Sequence, residues 1–130
     1  FMVATECSIH INVKQAVVDA TDTSTVAFGR NVMLSRSLKN KYTQEHMALE
    51  AKGASFEEMR DYERSGTPSL QGRRRSAAAN VDGNLEYGSV GMGAIAGLIK
   101  EISSAADIVN GMVQGSPGVL QRLQEILPAP

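Results

Sequence analysis

Residues 88–97, Gly-Ser-Val-Gly-Met-Gly-Ala-Ile-Ala-Gly, place four glycines within ten positions and run on into Leu98-Ile99. Inside a regular element a glycine costs about 0.5–1 kcal/mol relative to alanine, so such a cluster needs a physical reason. Three are available: backbone lying close to a ligand, two elements packed tightly, or a strained turn. From Gly91 to Gly97 the spacing nearly matches the GxGxxG fingerprint that seats a dinucleotide, but one residue too many precedes the third glycine. That fingerprint also follows a strand and is answered by an acidic residue about twenty positions later. Asp107 comes too early, and no strand rich in β-branched residues follows. The expectation is a tight helix entrance lying against another backbone or a ligand, not a phosphate loop.

Other candidate chemistry is sparse. His10 and His46 are far apart and belong to no metal-ligand spacing, and no Cys-x-x-Cys or acidic cluster supports zinc, so no metal is expected. Cys7 has no evident base beside it, and a lone cysteine near a strand end is more often packed than reactive. Arg73-Arg74-Arg75 is the one basic cluster and could grip phosphate through bidentate hydrogen bonds. A solvated loop is the expectation for it. If it holds a partner, an anionic cofactor or an acyl-carrier surface suits it better than nucleic acid. The chain has three tyrosines, three phenylalanines and no tryptophan, too few aromatics to interleave with bases.

The elements that must position these residues can be read from spacing and caps. Phe1-Met2-Val3-Ala4-Thr5 resembles the end of a buried strand, and the chain is expected to be a segment of something longer. Ser8 can cap a helix over about Ile9–Ala20, with Val13, Ala16 and Val17 on one face. Thr25–Phe28 and Val32–Leu34 suggest a hairpin around Gly29-Arg30-Asn31. Thr43 can cap a helix to Ala51, and Ser55 with Glu58 forms a capping box for a helix over Phe56–Arg64 that stops at Gly66. Residues 65–84 show no periodicity and are expected to be a long surface segment. A helix is expected from Met92 to Glu101, another from Ser103 or Ser104 to Gly115 with Ile108, Val109, Met112 and Val113 buried. A last one is expected after Ser116-Pro117, with Val119, Leu120, Leu123, Ile126 and Leu127 as its stripe.

Composition sets the limits. A chain of 130 residues with 42% hydrophobic and 21% charged residues is the size and make-up of one ordinary globular domain. A net charge of −1 gives no electrostatic case for nucleic acid or an anionic membrane, and neither is expected as a partner. No apolar run reaches the roughly 20 residues of a spanning helix. The single cysteine fits a reducing compartment, so a cytoplasmic location is expected.

Several motifs carry a family resemblance. Residues 1–10, Phe-Met-Val-Ala-Thr-Glu-Cys-Ser-Ile-His, with Val13-Lys14, resemble the segment after the eighth barrel strand of nitronate monooxygenases, formerly called 2-nitropropane dioxygenases. In that family a Gly-Thr-Arg-Phe run leads into Ala-Thr-x-Glu-Cys-x-x-His. Residues 36–40, Arg-Ser-Leu-Lys-Asn, resemble its Arg-Ser-Leu-Arg-Asn element, and residues 94–99, Ala-Ile-Ala-Gly-Leu-Ile, its Gly-Gln-x-Ala-Gly-Leu-Ile element. The flavin-dependent enoyl-acyl carrier protein reductases share the last two.

The resemblance implies an α/β fold: a C-terminal fragment of an FMN-binding (β/α)8 barrel carrying a mainly helical inserted domain that covers the substrate. Residues 1–22 would be the end of the last strand and its helix, 23–88 the covering domain, and 89–130 the helices returning to the barrel. Gly91, Met92 and Gly93 would approach FMN. The family's catalytic histidine corresponds to neither His10 nor His46, so no catalytic residue is assigned, and the chain alone is expected to be inactive. Ala94 stands where several relatives have glutamine, which removes a polar contact. The implied activity of the parent is that of a nitronate monooxygenase, an oxidoreductase acting on alkyl nitronates. An NAD(P)H-dependent quinone or enoyl-thioester reductase of the same fold is the alternative, and a non-catalytic helical association fragment a third. A homo-oligomer or a missing N-terminal barrel half is the expected protein partner.

Overall fold

The computed structural model describes residues 2–64, 70 and 73–127. Two compact units are present: Ser8–Glu101, and Phe1–Cys7 together with Ile102–Pro130. The described residues make a small mixed α/β structure of five α-helices and a two-stranded sheet, with no barrel among them.

The larger unit begins with α1, Ile11–Val18. Its cap is His10, not Ser8: the His10 Nδ1 accepts from the Asn12 N–H at 3.1 Å, and the His10 N–H donates to the Asn80 carbonyl at 2.7 Å. Fixing the entry at His10 moves the start two residues in from the expected span, and the helix ends at Val18, two residues before Ala20. Val13 and Val17 are buried with Ala20, while Ile11 lies exposed.

Strands β1, Thr25–Phe28, and β2, Ser35–Leu38, pair antiparallel with Thr25 opposite Leu38 and Phe28 opposite Ser35. The second strand thus lies three residues beyond the expected one, and Val32, Met33 and Leu34 fall in the connection. What selects Ser-Arg-Ser-Leu over the more apolar run is a third strip of backbone. Leu38 N–H and the Ser37 hydroxyl both donate to the Val90 carbonyl, at 2.9 and 2.6 Å, and Ser37 bridges to Gly91. Glu50 closes the connection by accepting from the Gly29 and Asn31 N–H groups, each at 3.3 Å.

Helix α2, Lys41–Ala51, starts three residues earlier than expected because Asn40, not Thr43, is its cap. Asn40 Oδ1 accepts from the Thr43 N–H and Thr43 Oγ1 accepts from the Asn40 N–H, a reciprocal box. The Asn40 amide also donates to the carbonyls of Leu85 and Gly88, both at 2.8 Å, tying the helix start to a distant loop. Helix α3, Phe56–Arg64, begins with the Ser55–Glu58 box that its sequence predicts: Glu58 Oε2 accepts from the Ser55 N–H at 2.7 Å. Those hydrogen bonds hold the Glu58 carboxyl below its usual range. Its expected stop, Gly66, lies outside the described residues.

Two expectations downstream are corrected. The stretch read as a surface segment contains α4, Arg75–Asn80, whose Ala78 and Ala79 are fully buried. Small side chains hide the periodicity, and Gly88 supplies the close fit, since a Cβ there would strike the Asn84 carbonyl and Ala79. Past the glycines, a 3-10 turn over Ala94–Leu98 replaces the helix expected from Met92 to Glu101. Ile95 and Leu98 are exposed there, so no apolar face exists to extend the turn into a helix.

In the smaller unit, residues 2–6 form turns instead of a strand, which would need a neighbour for its backbone groups. Thr5 N–H donates to the Ser103 carbonyl at 2.9 Å, and Glu6 accepts from the Ala105 N–H at 2.9 Å, which draws its carboxyl below the usual range. Helix α5 runs from Ala105 to Ile126 without interruption, capped by Ser104, where two helices broken at Gly115 are expected. Pro117 sits inside it and has no N–H for the Val113 carbonyl, but the Ser116 hydroxyl donates to that carbonyl at 2.8 Å. None of its residues is buried, and the stripes expected to face a core are exposed apart from the half-buried Ile108.

Candidate functional site

Arginine in the interior of a small protein must be matched by acceptors or aromatic faces. Arg75 is 4% exposed and finds both. Its guanidinium lies 4.3 Å from the Tyr42 ring centroid and 4.5 Å from that of Tyr62. Nη1 donates to the Tyr87 carbonyl and Nη2 to the Tyr62 carbonyl, both at 3.1 Å. One side chain thereby joins α4 to α2, α3 and the loop before the glycine run.

His46 occupies the next layer, with no exposed surface. Phe28 meets it edge-on at 4.9 Å, and Tyr42 and Tyr62 lie at 5.9 and 6.1 Å. Its Nε2 is 3.3 Å from Glu63, while Nδ1 stands 3.8 Å from Glu50 and has no hydrogen-bond partner among the described residues. Burial, with help from the Glu63 charge, pushes the Tyr42 phenol up to about 12 against the opposing pull of Arg75. The Tyr62 phenol is raised as well, by burial and then by its 2.8 Å hydrogen bond to Glu45. Both phenols are neutral walls near neutral pH, not proton carriers.

Beside this cluster lies an open groove of about 860 Å³ within the larger unit. Arg36, Arg64, Arg74 and Arg75 line it against one carboxylate, Glu63. Phe28, Met33 and Tyr42 supply an apolar wall, and Gly91 is part of the rim. The three sequential arginines therefore do different things. Arg73 pairs with Asp82 at 3.3 Å on the surface, Arg74 faces the groove and Arg75 is buried. The solvated loop expected for them holds for Arg73 and Arg74, which are exposed and outside any helix or strand, and fails at Arg75.

The glycine run divides in the same way. Gly88 and Gly97 are sites of close approach; a Cβ on Gly97 would come within 3.0 Å of Thr21 backbone. At Gly91 and Gly93 a Cβ would meet nothing within 4 Å, so packing inside this chain does not require glycine there. Met92 between them is buried, 6% exposed. His10 caps a helix, Cys7 is a half-buried thiol in the other unit, and no group of three metal-ligating side chains occurs among the described residues. Sequence reasoning missed Arg64 entirely; Arg36 was noticed only as part of a motif. Their convergence depends on the offset of β2 and the end of α3, which no local spacing announces.

No family model matches the sequence, and no curated protein matches it. Solved structures do. FabK from Thermotoga maritima is 25% identical with a TM-score of 0.75, over 97% of this chain and 37% of that one. The M276A mutant of Thermotoga maritima FabK gives 21% identity and a TM-score of 0.69, over 97% of this chain and 35% of that one. The chain thus spans little more than a third of the proteins it matches, and has the fold of that part of FabK. These likenesses support the family that the sequence motifs indicate without singling out a member. No helix among the described residues is long and apolar enough to cross a membrane.

Proposed function

We propose that the chain is the covering and flavin-lining part of an FMN-dependent oxidoreductase of the enoyl-thioester reductase type. The observation that carries this reading is the match of 97% of the chain to FabK, a flavin-dependent enoyl-acyl carrier protein reductase. The site's geometry is compatible. The open space over Gly91 and Gly93 admits a flat ring, which any side chain at those positions would obstruct. When bound, FMN would supply the hydride and electron transfer that no side chain here performs. This chain's own residues would orient and cover: Gly91 and Gly93 by their bare backbone, Met92 by filling the layer beneath, and the groove by receiving the rest of the substrate. The proposal divides the chain as its motifs do, with 23–88 as cover and 89–130 returning to a barrel.

The test is made on the intact protein. Purified material should show bound flavin by absorbance near 450 nm, a characteristic flavin band (about 450 nm). It should oxidise NADPH in the presence of crotonyl-coenzyme A. Turnover of propyl-2-nitronate with oxygen, and none of the thioester, would return the assignment to nitronate monooxygenase. Absence of flavin after reconstitution would overturn both. Gly93→Val should weaken flavin binding while leaving the far-UV circular dichroism unchanged.

A further inference from the structure

We infer that the arginine groove of the larger unit is a binding site for a phosphate-bearing organic anion, with Arg36, Arg64 and Arg74 as its ligands. The position of this site does not depend on the flavin reading, although it deepens it by naming what the groove would hold.

The argument begins with charge. Four guanidinium groups line one groove against a single carboxylate, and that carboxylate, Glu63, is already engaged by His46 at 3.3 Å. In a chain whose net charge is −1, such a concentration of one sign is local, not a consequence of composition. The four are not equivalent. Arg75 is consumed by the tyrosine faces and two backbone carbonyls, which fixes the floor of the groove and its positive field. Arg36 makes one hydrogen bond, from Nη1 to the Thr25 hydroxyl at 3.1 Å, leaving its other donors for the groove. Arg64 and Arg74 form no ion pair with a described carboxylate, whereas their neighbour Arg73 does. Ser76 and Ser89 add hydroxyl donors to the same groove.

Guanidinium forks and hydroxyls together make the donor set that suits a tetrahedral oxyanion with several acceptor oxygens. A carboxylate offers two acceptor oxygens, enough for one fork, whereas a phosphate diester or diphosphate offers acceptors to more than one. Phe28, Met33 and Tyr42 line the same groove with apolar surface, so the ligand is an organic phosphate with an apolar or planar portion, not the free ion. Met33, 71% exposed, stands at the edge where that portion would enter. Two sources share this chemistry: the phosphates of a nicotinamide dinucleotide and the 4′-phosphate of a phosphopantetheine thioester.

Calorimetric titration of the intact protein with inorganic pyrophosphate at low ionic strength tests the site. Saturable binding is expected, and Arg64→Gln with Arg74→Gln should weaken it by at least about tenfold, as lost charge-assisted hydrogen bonds do. Lys100→Gln, which removes a cation outside the groove, should leave the affinity unchanged. No saturable binding, or an equal loss in Lys100→Gln, would overturn the proposal. A second measurement needs no variant. Pyrophosphate should protect Arg36, Arg64 and Arg74 from phenylglyoxal, read by peptide mass spectrometry, and leave Arg30 and Arg122 unprotected. Uniform labelling of all five would equally sink the idea. Competition by adenosine 2′,5′-bisphosphate against 4′-phosphopantetheine then identifies the source. Pyrophosphate binding with no flavin in the protein would refute the oxidoreductase reading and leave the site standing. Flavin and turnover without protection would do the reverse.

Discussion

The Ser8–Glu101 unit and helix α5 solve the problem of burial in opposite ways. The first has a modest apolar core but gathers its polar groups inward, where Arg75, His46, Thr43 and Ser37 are all buried with partners or aromatic faces around them. The second is apolar along much of its length and buries none of it. Stability in the larger unit therefore rests on a few satisfied polar contacts that specify one arrangement. In α5 it rests on backbone hydrogen bonds with a few side-chain contacts at its start and at Ser116, which do little for a helix without a packed face.

Substitutions can break or sharpen that contrast. The largest effect should follow from Arg75→Met, which abandons two carbonyls and the tyrosine faces. A loss of about 3 kcal/mol or more is expected from urea unfolding. Asn40→Ala removes the α2 cap and the donors to Leu85 and Gly88, and should cost about 2 kcal/mol by the same measurement. Tyr42 gives a pH signature. Its folded-state phenol titrates at about 12 and the unfolded one at 10.0, so the folded form holds its proton longer. That contribution is complete below pH 10 and is lost as pH rises toward 12, and Tyr42→Phe should flatten the alkaline decline. The smallest effect should come from Leu123→Ser on α5, within about 0.5 kcal/mol for this 130-residue chain. A loss of several kcal/mol there would show that α5 does have a packed face.

What could be read from sequence follows from the same contrast. The Ser55–Glu58 box and the Ser104 cap are local chemistry between residues three apart, and both are found where spacing puts them. Cap identity went astray at His10 and Asn40, because distant carbonyls at Asn80, Leu85 and Gly88 decide between neighbouring candidates. β2 was misplaced for a related reason: Val90 and Gly91 select a polar strand that alternation does not favour. Of the candidate site, the glycines were visible as a cluster, but their division into packed and open pairs depends on Thr21 and Ala79. The groove was invisible, since its arginines come from three separate places in the chain.

Helix α5 has one more consequence. Gly111, Gly115, Gly118 and Pro117 lie within a single 22-residue helix, and Ser116 can replace only the one hydrogen bond that Pro117 lacks. Relative to alanine these residues disfavour helix by about 1 kcal/mol per glycine and about 3 for the proline. Such a segment opens readily unless something holds it, and an opened segment is what a protease cuts. Cleavage by a low level of thermolysin should begin between Gly111 and Leu120 while Ser8–Glu101 survives. The lifetime of each copy in a cell would then report whether α5 had found its cover, making this helix a clock for turnover.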